Sequence, residues 1–259
     1  MNTYPPHYIY VIPKSCYRIK RENENEIEGS PAHTFSSCVQ AEQGAKMKIA
    51  LVMEWSTCER NEIVYETLKK VAEANGHTVV NYGQYNMEDN RQTYNQNAVF
   101  ISTLLNSGAA DFVVTGCGTG EGAMLAANSM PGVCCGLVVD PADSYLFTQV
   151  NGGNCMSLPF AKGWGWGAEV NLEYVFEKLF VKEPGGGYPE HAAASEQRNA
   201  ALLNKLKGVS HNDLKAILAS EEPDVHEMVQ AAFAGKRLEL FKENCQCDDI
   251  LQAVEEALK

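Results

Sequence analysis

From Met47 onward, short apolar runs alternate with longer segments whose apolar residues recur three and four positions apart. Lys48-Ile49-Ala50-Leu51-Val52-Met53 is a run suited to a strand buried on both faces. Residues 61–75 then align Val64, Leu68, Val71 and Ala72 on one helical stripe, with Gly76 placed to end it. The alternation continues. Strands are predicted over 78–82, 111–115, 133–139 and 155–158, and helices over 94–105, 120–130, 143–150 and 168–180. This pattern predicts an α/β fold in which a parallel sheet of about five strands is covered by helices on both faces. Ligands of such sheets bind at the carboxyl ends of the strands.

The flanks differ. Over residues 1–46, Glu22, Glu24, Glu26 and Glu28 alternate with polar residues, four prolines interrupt, and no period persists, which predicts an extension without regular structure. After Val181, the stretch Glu183-Pro184-Gly185-Gly186-Gly187-Tyr188-Pro189 is a loop, followed by amphipathic segments over 196–206, 213–219, 224–233 and 248–258. Ser210 and Asn212 are candidate N-caps there. The chain thus divides into an extension (1–46), an α/β domain (47–182), and a loop with a small C-terminal helical appendage (183–259).

Charge and cysteine content narrow the function. A net charge of −12 argues against a nucleic-acid binder, whose affinity comes mainly from clustered Lys and Arg, but leaves room for one small anion held locally. No run of about 18 apolar residues exists to span a bilayer. The nine cysteines include no Cys-x-x-Cys pair and no zinc-type His spacing, so neither a structural metal nor a redox pair is expected. An odd count without a secretory signal points to reduced thiols in a cytoplasmic setting.

The chemistry concentrates in Cys117-Gly118-Thr119-Gly120-Glu121-Gly122, between the β-type run 111–115 and the helical run that begins at Ala123. The glycines fall at Gly116, Gly118, Gly120 and Gly122, every second residue, which fits neither G-x-G-x-x-G nor a P-loop. The cysteine stands one place from Gly116, where a hydrolase elbow needs two. What remains is a thiol beside a nest of main-chain amides. Thiols at helix N-termini ionise more readily than free ones, and a thiolate can take a proton from a carbon next to a carbonyl while amides hold the enediolate that forms. Glu54, at the carboxyl end of the first strand, is placed for a pocket.

These blocks, with Met47-Lys48-Ile49-Ala50, Ala126-Ala127-Asn128, Pro131-Gly132, Asn151 and Asn154, resemble the ribose-5-phosphate isomerase B and galactose-6-phosphate isomerase family over about residues 47–200. The resemblance implies a Rossmann-like three-layer fold and a homodimer or dimer of dimers with active sites at the interface. It implies interconversion of aldose and ketose phosphates without metal or cofactor. It assigns Cys117 as the base, Thr119 to ring opening, and Gly118, Gly120, Glu121 and Gly122 to the enediolate loop. Glu54 stands where the family has Asp, Tyr94 matches a substrate-side tyrosine, and Asn151 an asparagine contacting the sugar.

There are departures. The family's His after that Asp is Trp55, and its ring-opening His before the asparagine is Val150. The phosphate-binding arginines lack clean counterparts; Arg198 is the first candidate, with His191 and Lys162 behind it. Trp164 and Trp166 are candidates for a sugar-stacking wall or for packing. The expected activity is aldose–ketose isomerisation of a phosphorylated pentose or hexose, as in the pentose phosphate pathway. The alternatives are a catalytically inactive sugar-phosphate-binding or regulatory protein, and more remotely a thiol hydrolase.

Overall fold

Five strands form one sheet, parallel throughout, in a computed structural model that describes residues 46–259. The extension expected over 1–46 therefore lies, apart from Lys46, outside the described residues. The strands are β1 (Lys48–Val52), β2 (Thr78–Asn81), β3 (Phe112–Cys117), β4 (Cys135–Leu137) and β5 (Cys155–Pro159), in spatial order β2-β1-β3-β5-β4. Helices α1 (Asn61–Ala74), α2 (Tyr94–Asn106), α3 (Glu121–Asn128), α4 (Pro141–Leu146) and α5 (Ala168–Leu179) make the crossovers. The expected Rossmann-like three-layer α/β fold is what forms.

Strand alternation sorts the core into two faces. Ala50, Val52 and Val113 face one cluster with residues of α2, including Phe100 and Leu104. Ile49, Leu51, Val114 and Met156 face the other, with Val64 and Leu68 of α1 and Val175 and Phe176 of α5.

The C-terminal part is helical: α6 (Ala193–Ser210), α7 (Leu214–Leu218), α8 (Pro223–Ala232), α9 (Lys236–Asn244) and α10 (Asp248–Ala257). Helices α7 to α10 bury Leu218, Val229, Phe233, Phe241 and Val254 in the same cluster as α2. Phe233 meets both Phe100 and Phe241 edge-on, at centroid distances of 5.4 and 5.7 Å. By contrast, α6 buries no residue, and Leu202, Leu206 and Val209 are exposed on it.

Four details differ from expectation. A 3₁₀ turn, Trp55–Arg60, follows β1, and α9 was not foreseen. Asp213, not Ser210 or Asn212, caps α7 by accepting a hydrogen bond from Lys215 N–H (2.8 Å); Ser210 is the last residue of α6. After Leu146 the chain widens into a π turn, Phe147–Asn151, in place of the end of a regular helix.

Candidate active site

The strand order reverses between β1 and β3: from β1 the chain moves outward to β2, and from β3 it moves to the other side. In an open parallel sheet this is where two crossovers diverge and leave a crevice above the strand ends. Val52 pairs with Thr115, so Glu54 and Cys117, each two residues further, stand level on adjacent strand ends. Glu54 is still extended (φ −94°, ψ 147°). Side chains two apart share a face, which sets Glu54 and Cys117 on the side of Val52 and Thr115, beneath the start of α2. Neighbouring strands lie about 5 Å apart, so the carboxylate and the thiol are neighbours on one side of the sheet, at the edge where such folds leave a crevice.

Cys117 is 7% exposed and belongs to neither apolar cluster. Glu54 is equally buried, and its Oε2 accepts hydrogen bonds from Ser56 N–H (3.1 Å) and the Ser56 hydroxyl. That carboxylate therefore also caps the following turn. Among the described residues no hydrogen bond forms to Glu54 Oε1.

The glycine turn is held from below. Phe160 N–H donates to Cys117 O (2.9 Å), Ala161 and Lys162 N–H to Gly118 O (3.0 and 2.9 Å), and the Ser157 hydroxyl to Gly120 O (2.6 Å). Carbonyls are thus turned into the protein, and among the described residues no acceptor meets the N–H groups of Gly118, Thr119 and Gly120. Gly120 makes the turn at φ +79°, a region that disfavours a side chain, and α3 begins at the next residue. The Thr119 hydroxyl accepts from Glu121 N–H (3.3 Å). Free amides and a helix start together favour a negative ligand.

Tyr94, at the first turn of α2, leans on this loop: a Cβ added to Gly122 would stand 3.4 Å from its ring. Glu54, Tyr94, Cys117, Gly118, Thr119, Gly120, Glu121 and Gly122 are therefore gathered at one edge. Lys162 joins them through its main chain. Asn151 does not. It precedes β5, whose Cys155 is level with Val113 while Pro159 is level with Cys117, so Asn151 lies at the opposite edge of the sheet, more than about 13 Å from the thiol. Arg198 is exposed on α6, which packs against the same Phe147–Asn151 turn, and so lies with Asn151 and not with Cys117. His191 is also exposed, in the turn before α6.

Trp164 packs edge-on against Phe160 (6.2 Å) under the Arg60 guanidinium (5.3 Å), within the cluster on the far face from Cys117. Trp166 is fully exposed. Neither walls the crevice. Trp55 does border it: its indole N–H donates to Met87 O (3.4 Å), its main-chain N–H to Gln92 O (2.9 Å), and the Arg91 guanidinium lies 4.7 Å from the ring centre. Sequence reasoning missed Arg91, which sits in a polar loop without periodicity. A groove of about 770 Å³ opens elsewhere, between α7, α8 and α10, but its polar residues, among them Lys215, His226 and Asp249, are exposed and unordered by any buried partner. It lacks the fixed polar groups of a site.

The chain is similar to several known proteins. A family model described as Ribose/Galactose Isomerase matches residues 49–184. A crystal structure of 4-deoxy-L-threo-5-hexosulose-uronate ketol-isomerase complexed with a tartrate is 50% identical, covering 82% of this chain and 99% of that one, with a TM-score of 0.78. The ribose-5-phosphate isomerase LacAB_rpiB of Vibrio parahaemolyticus is 43% identical, covering 83% and 100%, with a TM-score of 0.79. The type B ribose 5-phosphate isomerase of Trypanosoma brucei, 19% identical over 62% of this chain and 99% of that one (TM-score 0.53), shares the fold. No match is found among curated proteins.

Proposed function

The chain belongs to the ribose/galactose isomerase family, and from that premise we propose that it interconverts the aldose and ketose forms of a sugar bearing an acidic group. The observation that carries this reading is the level pairing of Cys117 and Glu54 at the switch point, beside a turn whose amides are unclaimed. In this reading the Cys117 thiolate removes the proton from the carbon next to the carbonyl, and the Gly118–Gly120 amides hold the resulting enediolate. The same sulfur returns the proton to the neighbouring carbon, while Glu54 or the Thr119 hydroxyl carries the hydroxyl proton between the two oxygens. No atom is gained or lost, as an isomerisation requires.

Two acidic groups compete, a phosphate and a carboxylate. Val150 favours the second: it stands where the resembling family has a ring-opening His, and valine transfers no proton. A 4-deoxy-5-hexosulose uronate, the substrate in the name of the 50% identical relative, has no hydroxyl at C4 or C5 with which to close a furanose or pyranose ring. Such a sugar has no ring closed on its C1 aldehyde of the kind that the family's His opens. A panel of ribose 5-phosphate, galactose 6-phosphate and the 4-deoxy-5-hexosulose uronate, followed by proton NMR in deuterium oxide, tests both points. Turnover with solvent deuterium at C1 or C2 is expected, fastest on the uronate. Tight binding with no interconversion of any member would leave a binding protein instead.

Asn151 and Arg198 join this site only if a second copy delivers them, which supports a homodimer with shared sites. The apolar side chains left open on α6, the helix that carries Arg198, support the same arrangement. Light scattering is expected to give at least twice the mass of one chain; a monomer at working concentration would exclude Asn151 and Arg198 from the site.

A further inference from the structure

The C-terminal helices send one charged side chain deep into the molecule. Arg237, on α9, is 4% exposed, with its guanidinium 5.0 Å from the Phe100 ring centre. Its Nε–H donates to Tyr82 O (3.0 Å) and its Nη2–H to Met53 O (3.4 Å). That Met53 carbonyl also accepts from Asn97 Nδ2 (3.0 Å) and Gln84 N–H (3.3 Å), while Met53 N–H donates to Gly83 O (2.5 Å). Donors from α2, α9 and the segment after β2 thus converge on one peptide group, the one whose nitrogen belongs to Glu54.

Stability does not account for this arrangement. Arg237 forms no ion pair among the described residues, and burial lowers its pKa to about 9, opposed by Tyr85 and Asp89. An uncompensated buried charge is costly, and an apolar side chain of similar length would fill the space over Phe100 at no such cost. Arg237 Nη1, Gln84 Nε2 and Asn97 Oδ1 are buried without a protein partner, so the seam is not optimised for polar matching either. What the guanidinium does, and an apolar stem would not, is grip two carbonyls at the ends of neighbouring strands.

We infer that Arg237 is a positioning residue, which fixes the Met53–Glu54 peptide and so aims the Glu54 carboxylate at the crevice over Cys117. The inference rests on the reading of Glu54 as a site residue. It makes the C-terminal helices part of the catalytic apparatus without bringing them to the substrate.

The test uses the full chain carrying Arg237→Met, which keeps the packing stem, and Arg237→Lys, which keeps a charge and a donor. Turnover on the sugar identified above, the thermal midpoint, and amide hydrogen exchange of peptides spanning 51–57 and 112–118 are measured together. For Arg237→Met, kcat is expected to fall about 10- to 100-fold, the loss that a misplacement of about 1 Å produces. KM should stay within about threefold, exchange should rise over 51–57 but not over 112–118, and Arg237→Lys should recover part of kcat. Wild-type kcat in Arg237→Met, or equal loosening of both peptides, overturns the inference. Should Arg237→Met fail to fold, Arg237→Lys decides by the same two readings. If the wild-type chain turns over no sugar, the isomerase reading fails, and the exchange pattern alone decides whether Arg237 holds the end of β1.

Discussion

Replacement of Cys117 by alanine is expected to lower kcat by about 10²- to 10⁴-fold, the contribution of a positioned general base, with KM little changed. The alanine removes one sulfur at a strand end that belongs to neither apolar cluster, so the stability cost is expected to be about 1 kcal/mol or less. The amide turn is built from main chain and anchored by Phe160, Ala161, Lys162 and Ser157, none of which depends on the thiol side chain. Enediolate stabilisation should therefore survive in the variant. Steady-state kinetics on the substrate of the panel, with circular dichroism to verify the fold, gives the comparison. Solvent deuterium exchange at the carbon next to the carbonyl should fall in step with turnover, because both need the same proton abstraction. Full turnover by Cys117→Ala would place the base elsewhere in the crevice, and Glu54, level with Cys117, would be the next candidate.

The strands were legible because parallel strands are buried on both faces and so read as unbroken apolar runs. The central ones, β1 and β3, came out within a residue or two of their observed ends. The edge strand β4 was overestimated: Cys135–Leu137 pairs with β5 alone, Val133 and Val138 are buried just beyond its ends, and Val139 is exposed. Helix α9 was missed because its fully buried residues are Arg237 and Phe241, with Leu238 and Leu240 only partly buried, and a buried arginine inverts the usual pattern. At the site, legibility followed chain proximity. Cys117, Thr119 and the glycines are contiguous, and Glu54 was readable as the residue just past a strand. The Arg237 contact with Met53 spans 184 positions, and no local pattern announces it. Nor does local pattern reveal which edge of the sheet a residue reaches, which is why Asn151 and Arg198 were grouped with Cys117 although the chain holds them at the opposite edge.

Gly116→Ala is expected to destabilise the chain by about 3 kcal/mol, at the upper end of what overpacking costs, and to remove activity at temperatures where the wild type is folded. Gly116 lies on β3, level with Leu158 of β5, one residue before the thiol. A Cβ there would stand 2.5 Å from the Phe160 ring and nearer still to the carbonyl oxygen of Leu158. The ring is fully buried and the carbonyl is main chain, so neither can retreat without parting β3 from β5. For a domain of this size the melting midpoint should drop by about 6–12 °C. Gly118→Ala separates this effect from chemistry. Its Cβ would meet only Ala161 Cβ, at 3.7 Å, an ordinary contact, so the fold should persist while the methyl group narrows the turn between the amides and the substrate. A low melting point for the first variant and a normal one with reduced turnover for the second would show that alternate glycines serve different ends. Gly116 lets two strands close under the site, and Gly118 leaves room above it. A Gly116→Ala chain as stable as wild type would mean that β3 and β5 part more readily than their register suggests, and with that the rigid placement of Cys117 opposite Glu54 would lose its basis.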